Sequence, residues 1–321
     1  MKPIGLIFNP FADINKKQTA AKLRSIKKIL GEHGLVQITN NTDDIPIALK
    51  QFYKEGIKIL GISGGDGTID HVLSSYINLF GSEKLPVIVP LKGGTMNMLA
   101  ADVGLRGDQI TSCYKLINSL NRHSTLPTIE RGLIKVVDKR FNHPNYTFTW
   151  LDGLLYKFIK WYYKEGAGVR VALKLILQSC MKSLTNINHD LFKEVVSKVY
   201  IDDKKLPFES HLLIAISTVK RLVFGFRVFA EEAAAGEGFS ILYLRFPFFR
   251  KALYQFPRVL YSGLKSDASG NFLNSSGRVV RIEGNRGYVL DGEVYESQEP
   301  IDITLEIGPK LKIFSPKGEK Y

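Results

Sequence analysis

The chain is 321 residues long, 45% hydrophobic and 23% charged, with 28 Gly and 13 Pro. That length accommodates two domains with their own cores, and the ordinary composition, free of low-complexity tracts and fixed-period repeats, excludes a disordered or solenoid protein. Lys and Arg number 44 against 31 Asp and Glu, a formal charge of +13, so partners are expected among polyanions: nucleotide, nucleic acid or an anionic membrane surface.

The first part of the chain alternates strand and helix. The apolar run Ile4–Phe8 reads as a buried strand and is too short for a signal-peptide core. A helix is predicted over 16–30, where Leu23, Ile26, Ile29 and Leu30 recur at helical spacing. Strand 35–39, helix 45–53 and strand 57–62 follow, then helix 68–80, strand 87–91 and helix 108–120. This order implies a doubly wound parallel sheet, which holds ligands at the carboxyl ends of its strands.

After about Pro127 the texture changes to short alternating runs: 132–137, 146–150, 198–201, 212–217, 239–245, 277–283, 287–290 and 301–307. Polar/apolar alternation with turn-like separators predicts a largely antiparallel second domain, interrupted by one helix within 154–182 and one within 249–263. The expected domains are therefore 1–126 and 127–321, with the last residues able to return to the first. Nowhere in the chain do 18 consecutive uncharged apolar residues occur, so no spanning helix is expected. Cys113 and Cys180 stand far apart with no metal-ligand spacing, which fits a reducing compartment, and a cytoplasmic location is expected.

The most informative segment is Gly64-Gly65-Asp66-Gly67-Thr68, between a predicted strand and a predicted helix. Glycines there bring backbone amides close to an anion, and a helix N-terminus adds partial positive charge. Thr68 suits a helix cap or a phosphate oxygen. Asp66 in an anion cradle makes sense for Mg²⁺ binding or proton transfer. No Gly-Lys-Ser/Thr follows, so this is not a Walker loop, and Gly-x-Gly-x-x-Gly is not present either. A second glycine turn, Lys92-Gly93-Gly94-Thr95-Met96-Asn97, follows the next strand. In a parallel sheet both turns lie on the same edge and form two sides of one phosphate site.

Together these residues resemble the catalytic domain of the diacylglycerol kinase family, which includes soluble bacterial diacylglycerol kinases and the sphingosine and ceramide kinases. Asn9-Pro10 resembles the family's opening motif after the first strand and Thr39 its threonine after the second; Asp291-Gly292-Glu293 resembles its Asp-Gly-Glu signature. Phe11-Ala12 stand where the family usually has Ser-Gly, and Met98 where it has Asp. The resemblance implies an α/β nucleotide domain joined to a β-sandwich-like lipid domain. It implies that Asn9, Pro10, Thr39, Gly64, Gly65, Asp66, Gly67, Thr68, Gly94, Thr95, Asn97 and Asp291 hold ATP. Glu293 would be the general base for a lipid hydroxyl, and Asp66 would act in a metal-linked network. Gly236-Glu237-Gly238 corresponds to a family segment that can hold Mg²⁺, which makes Glu237 a further metal candidate.

These readings converge on ATP- and Mg²⁺-dependent phosphorylation of a membrane lipid, diacylglycerol-like first and sphingoid-like second. The rivals are a kinase of a soluble substrate, as in NAD kinases, and a degenerate nucleotide- or lipid-binding protein without catalysis. Segment 245–265 interleaves aromatic and basic residues and is expected to meet an anionic membrane surface; 156–174 is similar. No nucleic-acid-binding motif accompanies the charge, so nucleic acid is not an expected partner. A homodimer is compatible with the sequence.

Overall fold

The protein, analysed as a computed structural model, is described over residues 3–95, 97–166, 168–185, 189–220, 227–229, 237–246 and 266–318. It divides into two compact units. The first holds the described residues of 3–131 and 309–318, the second those of 132–220 and 227–308. The fold class is the expected one, parallel α/β first and antiparallel β-rich second.

The first unit contains β1 (Ile4–Phe8), α1 (Thr19–Leu30), β2 (Gly34–Ile38), α2 (Asp44–Lys54), β3 (Ile59–Gly64), α3 (Asp66–Phe80), β4 (Val87–Lys92), α4 (Met98–Asp102) and α5 (Gln109–Arg122). Its strands pair in parallel in the order β2-β1-β3-β4. Every residue of β1 and β3 is buried, which is why these strands read as continuous apolar runs. Helix α1 packs on α5 and α2 on α3. The chain leaves β1 in one direction to β2 and returns on its other side as β3, so the switch point lies at the carboxyl ends of β1 and β3.

The chain crosses into the second unit within β5 (Thr128–Asp138). There follow β6 (Asn145–Thr147), β7 (Thr149–Gly153), α6 (Leu154–Lys164), α7 (Val169–Thr185), β8 (Val195–Val196), β9 (Lys198–Ile201), β10 (Lys204–Lys205), β11 (Ser210–His211), β12 (Leu213–Ser217), β13 (Phe239–Leu244), β14 (Phe272–Gly277), β15 (Val279–Leu290) and β16 (Glu293–Phe314). The last turns of β16 return to the first unit, where Ile313 pairs in parallel with Ile88 on β4.

Strands β7, β12, β13 and β14 are antiparallel neighbours, and β15 pairs with β7, β9 and β16. Alternate residues serve two cores, as strand pleating requires. Trp150, Ile214, Ile216, Ile241 and Tyr243 face a cluster with Tyr288, Leu290 and Ile303. Leu151, Leu213, Ala215, Leu242 and Leu244 face the opposite cluster, which α6 closes with Ile159.

Three expectations change. The two runs 277–283 and 287–290 belong mostly to one strand, β15, joined through an irregularity at Asn285, whose Oδ1 accepts from the N–H of Arg286 and Gly287. The single helix within 154–182 is two helices. Gly166 and Gly168 have φ of +94° and +107° between them, a conformation that breaks α-helical continuation and favours glycine. Helix α4, five residues long, carries too little periodicity to be seen in the sequence. The predicted helix within 249–263 lies outside the described residues.

Candidate active site

The two glycine turns of the first unit meet backbone to backbone. Gly93 N–H donates to the carbonyl of Gly64 at 2.9 Å. A Cβ added to Gly94 would stand 2.5 Å from the Cα of Gly65, and one on Gly93 2.8 Å from the Cα of Gly64. Only glycine permits that approach. The first turn follows β3 at the switch point and the second follows its parallel neighbour β4, so the expected pairing of the turns is what the fold produces.

Gly65 is the N-cap of α3, and Asp66, Gly67 and Thr68 are its first three residues. The leading N–H groups of a helix lack intrahelical acceptors and, with the helix dipole, favour an anion there. Thr68 does not cap the helix; its hydroxyl accepts from Asn9 Nδ2 at 3.0 Å. Asn9 Oδ1 accepts from the Phe11 N–H at 2.9 Å, so its amide both shapes the turn after β1 and reaches α3. Thr39 follows β2, is buried, and donates its N–H to the carbonyl of Phe8 at 3.0 Å. Asn9, Pro10 and Thr39 thus line the same carboxyl edge as the glycine turns.

Asp66 is buried, and its side chain reaches the second turn. Oδ2 accepts from the Met98 N–H at 3.1 Å, with Oδ1 3.5 Å from the Leu99 N–H. The carboxylate therefore faces the N-terminus of α4 as well as its own helix start. Asn97, in the left-handed region at φ 48°, closes the second turn on itself. Its Oδ1 accepts from Gly94 N–H at 3.1 Å and its Nδ2 donates to the Gly94 carbonyl. The Thr95 hydroxyl donates to Asp13, an exposed residue that sequence reasoning passed over. Burial holds the Lys92 ammonium below the usual lysine range, and repulsion from Lys115 adds to it. A cation at the end of β4 beside these turns suits a polyphosphate.

The Asp-Gly-Glu segment belongs to the second unit. Asp291 and Gly292 have φ of +40° and +96° and join β15 to β16 as a two-residue hairpin turn. Asp291 is buried with its carboxylate turned into that unit. Oδ2 accepts from the Phe148 N–H at 3.0 Å and Oδ1 from the Thr149 hydroxyl at 2.6 Å. Glu293 opens β16 opposite Leu290 and is partly exposed. Tyr163 of α6 donates its hydroxyl to the Gly292 carbonyl at 2.8 Å, a brace on the turn that no local motif announces.

Glu237 is exposed in a turn ahead of β13. Among the described residues no group of three or more His, Cys, Asp or Glu side chains stands together as a metal centre. Burial pushes the Cys113 thiol up to about 12, so it is no nucleophile. Segment 245–265 lies, from residue 247 on, outside the described residues. No helix among the described residues is long and apolar enough to cross a membrane.

Residues 3–128 match the family model described as the diacylglycerol kinase catalytic domain. No curated protein sequence is matched. A crystal structure of a diacylglycerol kinase from Bacillus anthracis str. Sterne superposes with a TM-score of 0.65 at 13% identity, covering 98% of this chain and 97% of that one. A second, of a provisionally assigned diacylglycerol kinase from the same organism, gives 0.71 at 15% identity with the same coverage. At such identities the likeness is one of fold.

Proposed function

We propose that this chain, whose residues 3–128 match a diacylglycerol kinase catalytic domain, transfers the γ-phosphate of MgATP to a hydroxyl of a membrane lipid. The observation that carries this reading is the close packing of the Gly64–Thr68 and Gly93–Thr95 turns at the carboxyl edge of a parallel sheet. Phosphoryl transfer depends on positioning and on neutralising charge, and paired glycine turns with a helix N-terminus supply both.

In this reading Asn9, Thr39, Gly65, Gly67, Thr68 and Thr95 hold the nucleotide. Asp66 fixes the second turn and offers negative charge to the magnesium of MgATP, which enters as part of the substrate. Glu293 takes the proton of the lipid hydroxyl as that oxygen forms its bond to the γ-phosphorus. The bond to the β-bridging oxygen breaks and ADP leaves. Asp291, Asn97 and Tyr163 shape turns and are assigned no contact with the reacting atoms. The acceptor is diacylglycerol-like first and sphingoid-like second.

A membrane substrate calls for a membrane-facing surface, and we assign it to α6 and α7. Neither helix contains Asp or Glu, and α7 exposes Leu173 and Leu177 one turn apart with Lys174 between them. Cations beside exposed apolar side chains suit an anionic bilayer. The protein would then act as a peripheral enzyme on the cytoplasmic side.

The reading is tested by offering γ-labelled ATP with diacylglycerol vesicles, sphingosine vesicles and NAD⁺ in parallel. Label in a lipid supports it. Label in NAD⁺ alone would replace it with a soluble-substrate kinase, and ATP binding without transfer to any acceptor would replace it with a non-catalytic protein.

A further inference from the structure

Beneath the candidate nucleotide site lie three polar side chains without a role in the chemistry described so far: Asn15, Ser63 and Gln109. Asn15 and Ser63 are fully buried and Gln109 is nearly so. Asn15 belongs to the turn ahead of α1, Ser63 immediately precedes Gly64, and Gln109 is the first residue of α5.

Their hydrogen bonds close on one another. Asn15 Nδ2 donates to the Asn9 carbonyl at 2.6 Å and also lies 3.2 Å from the Ser63 carbonyl and 3.1 Å from its hydroxyl. The Ser63 hydroxyl donates to Gln109 Oε1 at 3.1 Å. Gln109 Nε2 donates to Asn15 Oδ1 and, at 2.8 Å, to the carbonyl of Lys92. Each amide thus uses its donor and acceptor ends inside one buried cluster. Two backbone bonds run alongside: Asn9 N–H to Ser63 carbonyl at 2.9 Å, and Ile14 N–H to Gly93 carbonyl at 2.8 Å.

The carbonyls reached belong to the three segments assigned to the nucleotide. Asn9 opens the turn after β1, Ser63 leads into Gly64–Thr68, and Lys92 leads into Gly93–Thr95. Parallel pairing fixes β1, β3 and β4 only as far as their ends. Beyond the ends, turns keep their relative placement only if something else ties them, and a phosphate chain must meet all of them within a fraction of an ångström. A buried polar cluster with every end matched supplies a rigid tie, because any displacement leaves a donor or acceptor unpaired in a poorly solvated place.

We infer that Asn15, Ser63 and Gln109 form a positioning cluster that sets the spacing of the three phosphate-binding turns, and that Gln109 is its keystone through its simultaneous bonds to Asn15, Ser63 and Lys92. The inference rests on the nucleotide-site reading and is independent of which acceptor is phosphorylated. An apolar side chain of similar size at position 109 fills the space and removes the tie.

The test is direct binding of MgATP to the full chain by calorimetry, with no acceptor present. Variants Gln109→Leu and Gln109→Glu are compared with Ile26→Ala, a cavity variant in the buried face of α1. Gln109→Leu is expected to raise Kd by about tenfold or more with unchanged far-UV circular dichroism. Ile26→Ala lowers the melting temperature and leaves Kd within about twofold. Gln109→Glu turns a carboxylate oxygen toward two acceptors, so its Kd is expected to improve as pH falls and the carboxyl is protonated. Where acceptor activity is measurable, KM for ATP rises more than kcat falls. A Gln109→Leu affinity no weaker than that of Ile26→Ala overturns the inference while leaving the nucleotide site intact. A wild-type chain that binds no MgATP overturns both.

Discussion

The carboxylate of Asp66, at the start of α3, accepts the backbone N–H of Met98, at the start of α4, with an oxygen–nitrogen distance of 3.1 Å. One side chain from the first glycine turn thereby holds the far end of the second. Replacing it by asparagine keeps an acceptor oxygen but removes the negative charge and places N–H donors beside donors. Asp66→Asn is expected to lower phosphoryl transfer by about 100-fold or more. The melting temperature should fall by only a few degrees, about 1 kcal/mol for one weakened buried bond. A radiometric transfer assay beside a thermal melt checks both; activity within a few-fold of wild type would remove Asp66 from the site.

Gly94→Ala is the sharpest steric test of the paired turns. The new Cβ would stand 2.5 Å from the Gly65 Cα, a backbone atom that cannot rotate away. We expect a cost of about 1–3 kcal/mol in stability and loss of most ATP affinity, read by denaturant unfolding and calorimetry. Gly31→Ala, whose Cβ would meet nothing within 4 Å, is a control for general loop effects, with strain at φ +51° as its only cost.

The second unit carries an acid-sensitive pair. Burial pushes the Asp138 carboxyl up, but hydrogen bonds from Arg140 and from the Tyr288 hydroxyl outweigh it and hold the group below the usual carboxylate range. A depressed native pKa means the contribution is complete above the unfolded value, near 4, and is lost as pH falls through the native value. Arg140→Met leaves burial dominant, so the native pKa rises and the sign reverses. Stability at neutral pH should drop by about 2–3 kcal/mol, less than for a fully enclosed pair because Arg140 is partly exposed. The gap in melting temperature between the two proteins should widen from pH 4 toward pH 7; a gap independent of pH would contradict this account.

Leu177→Glu tests the membrane surface. The residue is 64% exposed, so the substitution should leave the fold and ATP binding unchanged. It is expected to cut co-sedimentation with vesicles rich in phosphatidylglycerol several-fold, since it removes apolar insertion and adds like charge to the lipid surface. Undiminished sedimentation would move the membrane contact elsewhere.

What the sequence displayed follows from how locally each feature is encoded. The buried strands β1 and β3 and the Gly64–Thr68 turn are written in consecutive residues, where apolar runs and glycines leave few alternatives. The break between α6 and α7 was also written locally, in Gly166 and Gly168, but helical periodicity on both sides hid it. The tie from Gln109 to Asn15 spans 94 positions and uses ordinary residue types, so no window reveals it. Asp291 shows a different limit. Its motif is legible, yet the direction of its carboxylate, inward to Phe148 and Thr149, is decided by the register of β15 and β7 rather than by the motif.

The most direct test of the central claim is transfer of label from γ-labelled ATP into a total lipid extract, with wild-type protein and Glu293→Gln side by side and ATP binding measured on both. The account predicts a labelled lipid with wild type, a rate lower by about 10²- to 10⁴-fold in the variant, and equal ATP affinity. Equal transfer by both proteins would contradict the role given to Glu293, and no labelled lipid from a wild-type chain that binds ATP would contradict the lipid kinase itself.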